Sequence, residues 1–125
     1  MLIVYDSLTG NVERFVKKLG MRNIKINNGL IVDEPFVLIT YTTGFGEVPK
    51  RVAEFLAQNH SYLVAVTSSG NRNWGEKFGL AADKISERYK VKKLSKFELS
   101  GNESEIENFL QEVHQLGKCT KMDSN

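Results

Sequence analysis

Four short stretches of this 125-residue sequence hold most of the residues that could do chemistry. The first is Asp6-Ser7-Leu8-Thr9-Gly10-Asn11-Val12, with two hydroxyl side chains and a glycine ahead of a helical pattern. Backbone N–H groups at such a helix start, together with the positive end of the helix dipole, form a nest for an anion and suit a phosphate. The stretch contains no Lys or Arg, so a phosphate there would be held by neutral donors. It lacks the Gly-Lys-Ser/Thr ending of a P-loop and the Gly-x-Gly-x-x-Gly of a dinucleotide site. Taken alone, it reads equally well as a turn that caps a helix.

The other three stretches shift that balance. They are Thr42-Thr43-Gly44-Phe45-Gly46-Glu47-Val48-Pro49, Ser68-Ser69-Gly70-Asn71-Arg72-Asn73-Trp74-Gly75 and Ser100-Gly101-Asn102. Six of the ten glycines fall in the four stretches, as Gly10, Gly44, Gly46, Gly70, Gly75 and Gly101. Tyr41, Phe45 and Trp74 put aromatic rings beside them. Planar side chains next to backbone donors suit a flat aromatic ligand. Tyr41 also reads as the buried end of a strand, whereas Trp74, between Asn73 and Gly75, reads as a ligand or partner residue. A phosphate nest and a flat-ring site together point to a mononucleotide, and a flavin fits best.

The elements that must position these stretches alternate between strand and helix. Leu2–Tyr5, Phe36–Tyr41 and Tyr62–Val66 are continuous apolar runs, the pattern of central strands in a parallel sheet. Ile24–Ile26, with an extension to Leu30–Val32, and Val91–Leu99 mix polar and apolar positions and carry lysines, as edge strands do. Helical stripes run through Val12, Phe15, Val16 and Leu19; through Val48, Val52, Phe55 and Leu56; through Phe78, Ala82, Ile85 and Tyr89; and through Ile106, Phe109, Leu110 and Val113. Asn102 with Glu105 opens the last as a capping box. Central strands one, three and four with edges two and five give an α/β doubly wound sheet of order 2-1-3-4-5, the flavodoxin-like arrangement, with an antiparallel edge strand as the rival. Such sheets bind ligands outside the carboxyl ends of their strands, where all four stretches fall. The reading makes residues 1–116 one domain and residues 117–125 a flexible polar tail.

Composition narrows the function classes. The chain is 41% hydrophobic and 26% charged, and 17 Lys+Arg against 15 Asp+Glu leave a net charge of +2, too little to argue for nucleic acid or an anionic membrane. No apolar run is long enough to span a bilayer, and the first residues lack the basic leader of a signal peptide. One cysteine excludes an internal disulfide. A soluble cytoplasmic protein is the expectation. His60, His114 and Cys119 read as surface residues rather than ligands, and no base stands beside Ser7 or Thr9 to make either a nucleophile. Lys17-Lys18 and Lys92-Lys93 read as exposed pairs.

Ser7-Leu8-Thr9-Gly10-Asn11 resembles the phosphate loop of flavodoxins. Together with Thr42–Pro49, Ser69–Gly75 and Phe97-Glu98-Leu99-Ser100-Gly101, it is similar to the NrdI family, flavodoxin-like activators of class Ib ribonucleotide reductase. The likeness covers residues 1 to 116. It implies FMN as cofactor, with Ser7, Leu8, Thr9, Gly10, Asn11 and Val12 at the phosphate. Tyr41, Thr42, Thr43, Gly44, Phe45 and Gly46, with Ser69, Gly70, Asn71, Arg72, Asn73, Trp74 and Gly75, would enclose the ring. Gly44, Phe45 and Gly46 would be the reactive turn, whose Gly44 peptide flips when the ring takes up a proton. It further implies that the reduced protein reacts with molecular oxygen. The oxidant, superoxide or peroxide, then passes to the dimanganese site of the small subunit, NrdF, to form its Mn(III)₂–tyrosyl radical. This is the role of a redox activator rather than a stand-alone enzyme, and it requires a separate flavin-reducing partner.

Electron-carrier flavodoxins are acidic, whereas this chain carries +2 and has Arg72 in a loop expected to face the flavin. A cation there would favour the reduced, anionic ring. Three rival readings compete. One is a flavodoxin that carries single electrons to another partner, and one is a flavin-free interaction module of the same fold. The third, a response-regulator receiver, is poor because its phospho-accepting Asp is missing from Thr40-Tyr41-Thr42-Thr43.

Overall fold

The computed structural model describes residues 1–123, without Phe45 and without the side chains of Glu76, Lys77 and residues 117–123. The apolar runs form the strands β1 (Leu2–Tyr5), β3 (Phe36–Tyr41) and β4 (Leu63–Gly70), flanked by β2 (Asn23–Lys25), β5 (Lys92–Lys93) and β6 (Phe97–Glu98). Their order is β2-β1-β3-β4-β5, with β6 also on β4, and every pairing is parallel. The doubly wound sheet expected from the sequence is therefore present, and its edges are all parallel.

Successive residues of a strand point to opposite faces, so a run that is apolar throughout must be covered twice. Ile3, Tyr5, Val37, Ile39 and Ala65 face one core with Val12, Phe15 and Val16 of helix α1 (Asn11–Leu19) and Phe109 and Val113 of helix α4 (Glu103–Asp123). Leu2, Val4, Phe36, Leu38 and Val66 face the other. There they meet Val52, Phe55 and Leu56 of helix α2 (Lys50–Asn59) and Ala82 and Ile85 of helix α3 (Leu80–Tyr89). In the first core Phe15 stacks on Phe97 with ring centroids 3.7 Å apart, and Phe109 meets Phe15 edge-on at 5.5 Å. These rings fix α1 against β6. That matters for the site, because the loop before α1 and the loop after β6 are neighbours.

Helix ends follow local chemistry. The capping box forms: Glu105 N–H donates to Asn102 Oδ1 at 2.8 Å, and Asn102 N–H to Glu105 Oε1 at 3.0 Å. By contrast, α1 starts at Gly10 with no side-chain cap.

Four expectations change. The fifth strand is two short pieces, β5 and β6, because Leu94 and Ser95 leave the strand path; Leu94 N–H still bonds Val66 O, and Ser95 N–H turns to the Glu112 carboxylate. Tyr62 ends a short 3₁₀ turn (His60–Tyr62) and is exposed, so β4 starts one residue later and runs on to Gly70. The segment through Leu30–Val32 is a loop rather than strand, held by buried Asn59, whose amide donates to Leu30 O and accepts from Val32 N–H. The backbone of α4 stays helical through Asp123, where the sequence reading began a tail at Gly117. A single glycine costs a helix only about 1 kcal/mol, too little to end it. Ser124 and Asn125 of that tail lie outside the described residues. Among the described residues no helix is long and apolar enough to cross a membrane.

Candidate functional site

The loops that follow β1, β3, β4 and β6 meet at one end of the sheet. In the first, Ser7 Oγ accepts from Gly10 N–H at 3.2 Å and Glu13 N–H at 3.3 Å, which draws the loop into a bowl over the start of α1. Thr9 Oγ1 accepts from the Asn11 amide at 3.3 Å. Among the described residues the N–H groups of Thr9, Asn11 and Val12 meet no protein acceptor. A bowl of unsatisfied N–H groups and hydroxyls is the donor set a phosphate needs. Val12 could contribute only its backbone, since its side chain is in the core.

Behind this loop Asp6 is almost wholly buried at the end of β1, accepting from Ser7 N–H at 3.0 Å, with the Arg51 guanidinium 3.6 Å away. Burial raises its pKa, against the opposing pull of the Ser7 N–H, Arg51 and Lys25. Burial likewise raises that of the Tyr41 phenol, with the Asp6 charge adding to it. Tyr41 therefore stays protonated.

After β3 the chain doubles back: Thr43 and Glu47 form an antiparallel bridge, with Glu47 N–H donating to Thr43 O at 2.7 Å. Gly44 at φ +55° and Gly46 at φ +94° allow this reversal, and a β-carbon on Gly46 would lie 2.6 Å from Leu80. The turn thus abuts the first residue of α3. Phe45 lies outside the described residues.

From the third loop, Asn71 Oδ1 accepts from Asn73 N–H at 2.9 Å and starts a 3₁₀ segment (Arg72–Lys77) that presents Trp74 to solvent. From the fourth, Leu99 N–H donates to Gly70 O at 3.1 Å, and Leu99 adopts φ +54°, a conformation a branched side chain rarely takes.

These loops enclose a cavity of about 200 Å³ lined by Leu8, Thr9, Asn11, Tyr41, Thr42, Ser69, Gly70, Asn71, Trp74 and Leu99. Leu8, Trp74 and Leu99 are 71%, 44% and 51% exposed, and large apolar side chains left open together mark a binding surface. Nine of the expected site residues line this cavity. Ser7, Gly10 and Val12 build the bowl at its end, and Thr43, Gly44 and Gly46 form the adjoining turn. Asn73 and Gly75 flank Trp74 without lining the cavity themselves. A larger groove of about 570 Å³ between α2 and α3 lies among helix side chains such as Ala53, Ala57 and Ile85 and touches the four loops only at Val48.

Arg72 is the exception. Its guanidinium lies 3.0 Å from Glu105 and 3.8 Å from Glu98, and its backbone N–H donates to Glu98 Oε2 at 2.9 Å. It covers the Phe78 ring at 4.7 Å and lines a different hollow beside Lys96 and Glu112. With two carboxylates on one cation, Arg72 presents no uncompensated charge to the cavity, so the argument that it favours an anionic ring loses its basis.

Sequence reasoning missed two residues of this region. Leu99 lines the cavity only because its backbone is left-handed, which no local pattern announces. Arg14, one turn into α1, folds back over Gly10: a β-carbon there would lie 2.9 Å from Arg14 Nη1. An i, i+4 relation to Gly10 was the available signal.

Known proteins place the chain in a family. The family model described as "NrdI Flavodoxin like" matches residues 3–111. Protein NrdI of Bacillus licheniformis is 55% identical over 97% of this chain and 95% of its own length. Protein NrdI of Macrococcus caseolyticus is 44% identical over 94% and 92%. Among solved structures, oxidised flavodoxin 1 of Bacillus cereus superposes with TM-score 0.70 at 22% identity, over 94% of this chain and 96% of that one. A short-chain flavodoxin associated with a bacterial microcompartment gives 0.73, also at 22% identity, over the same shares. These two likenesses concern the fold. With its sheet order, its loop cluster and relatives matched almost end to end, this chain belongs to the NrdI family of flavodoxin-like proteins.

Proposed function

We propose that this protein binds FMN in the four-loop cavity and, with the flavin reduced, activates the small subunit NrdF of a class Ib ribonucleotide reductase. The observation that carries the reading is the joining of an N–H-lined bowl, at Ser7–Val12, to a cavity walled by exposed Trp74, Leu8 and Leu99. One part suits a phosphate and the other a flat ring, and membership of a flavodoxin-like family supports a flavin over other mononucleotides. Bound there, reduced FMN would give molecular oxygen one electron to form superoxide or two to form peroxide, the oxidant needed at the dimanganese site.

The residues have separable tasks. Thr9 and the N–H groups of Asn11 and Val12 hold the phosphate. Tyr41 and Thr42 from β3, and Ser69, Gly70 and Asn71 from β4, line the pocket, while Trp74 and Leu99 shield the ring. Gly44, Phe45 and Gly46 form the reactive turn. Without a β-carbon, Gly44 can reverse its peptide at little cost and present either C=O or N–H to a ring nitrogen, following that atom's proton. Because the cavity opens through Trp74 and Leu8, the docking face for NrdF surrounds the same loops, and the oxidant has a short path to it.

The direct test adds reduced, FMN-loaded protein and oxygen to Mn(II)-loaded NrdF and follows the tyrosyl radical by electron paramagnetic resonance. Radical formation that requires both proteins supports the reading. Its absence, with electrons passed instead to another acceptor protein, would assign the chain to the electron-carrier flavodoxins. A separate flavin-reducing partner supplies the electrons.

A further inference from the structure

Arg14 is exposed on α1, yet its guanidinium is fixed. Nη2–H donates to Asn11 Oδ1 at 2.7 Å and Nε–H to Ser100 Oγ at 3.0 Å, and the Ser100 hydroxyl in turn donates to Asn11 Oδ1 at 2.9 Å. The remaining nitrogen, Nη1, lies over Gly10, at 2.9 Å from the place a β-carbon would take. All these partners are neutral oxygens. Arg22, Arg51 and Arg72 each sit beside a carboxylate, whereas no described carboxylate pairs with Arg14. Glu13, the nearest acidic residue in sequence, is directed elsewhere, to the Tyr5 hydroxyl at 3.3 Å and Lys17 at 4.0 Å. A guanidinium has five N–H donors, so three remain open here. A second cation, Lys18, lies one turn further on, 3.3 Å from Gly101 O.

A positioned, uncompensated guanidinium at the rim of a bowl of neutral donors has a specific use. N–H groups at a helix start already favour an anion, and a cation at their rim adds to that preference for the dianion through shorter and stronger charge-assisted bonds. We propose that Arg14, held by Asn11 and Ser100, is the specificity residue that makes the site select the phosphorylated flavin over its unphosphorylated form. This deepens the flavin reading and rests on it. It also explains a pairing across the fold: the phosphate loop and the loop after β6 close on one side chain, so Ser100 serves the phosphate end although it lines no part of the ring cavity.

The test compares FMN with riboflavin, which share the ring and differ at the phosphate. Both are titrated by flavin fluorescence into the wild-type protein and into Arg14→Gln, Arg14→Lys and Ser100→Ala. Arg14→Gln is expected to weaken FMN binding about ten-fold or more, as the loss of one charge-assisted contact does. Riboflavin binding should stay within about two-fold, because the ring contacts are untouched. Arg14→Lys should recover part of the loss, and Ser100→Ala should give a smaller loss confined to FMN. Added salt should weaken FMN binding more in the wild type than in Arg14→Gln. Equal losses for both flavins, or none for FMN, would overturn the inference while leaving the flavin site in place. A wild-type protein that binds neither flavin would instead overturn the site itself, and the inference with it.

Discussion

The Arg72 guanidinium donates to the Glu105 carboxylate at 3.0 Å, and the same carboxylate oxygen accepts the N–H of Glu98 at 3.0 Å. One acidic side chain, 13% exposed, therefore ties the 3₁₀ segment that carries Trp74, strand β6 and the first turn of α4 into one unit. Arg72→Gln should loosen this unit, at a cost of about 1 kcal/mol for a half-exposed pair in a small network. Urea unfolding would measure that cost. The midpoint potential of bound flavin should move little in the same variant, since the half-exposed guanidinium is screened by solvent and lines no part of the cavity. A large potential shift would restore Arg72 to the flavin's surroundings.

Gly101 lies against the Phe15 ring so closely that a β-carbon would come within 2.5 Å of it, at φ +77°. Gly101→Ala must displace a ring that is stacked on Phe97 and wedged by Phe109. Overpacking of this kind, together with a left-handed backbone, costs about 2–4 kcal/mol. Thermal and urea unfolding should both register it. Gly20→Ala, which faces open space at φ +66°, should cost only the backbone strain and serves as the control.

Asp6 gives a pH signature. Its carboxyl titrates above the ordinary 3.8 in the folded protein because burial disfavours its charge. The folded state then binds more protons than the unfolded state as pH rises past the unfolded value, so this residue's contribution falls with pH through that window. Asp6→Asn can still accept from Ser7 N–H but cannot ionise. Its stability relative to wild type should therefore rise from about pH 3.8 towards neutrality. Matched urea titrations across that range would show it, and a difference that stayed flat or fell would reverse the assignment.

Trp74 and Leu99 are exposed residues that line the cavity. Trp74→Ala should weaken flavin binding about ten-fold, equivalent to about 1.4 kcal/mol, and should also weaken docking on NrdF. Leu99→Gly should relieve the left-handed backbone while removing part of the wall, so it should bind flavin more weakly without being less stable. Calorimetry and unfolding on the same variant would separate the two effects.

Much of this was legible in the sequence because it is local. Runs such as Phe36–Tyr41 are apolar at every position, which demands cover on both faces and so a doubly wound sheet. Glycines and hydroxyls cluster where strands end, and the fold brings those stretches together at one end of the sheet. What escaped depends on side-chain direction across long separations. Arg14 meets Ser100 across 86 residues, and Arg72 meets Glu105 across 33. A loop arginine and a helix arginine look alike in sequence, yet here the loop residue turns away from the cavity and the helix residue turns over the phosphate loop. The break between β5 and β6 has the same origin, since Ser95 N–H finds its acceptor in Glu112 of α4 rather than within the sheet.

The central claim is that one FMN occupies the four-loop cavity beside the protein's single tryptophan. Titrating apoprotein with FMN while following both flavin and tryptophan emission tests it most directly. The account predicts that tryptophan emission falls up to one equivalent, while flavin emission stays low to that point and rises with each addition beyond it, and that the bound flavin bands shift as the ring leaves water. Trp74 emission that stayed unchanged, with flavin emission rising in proportion from the first addition, would contradict it.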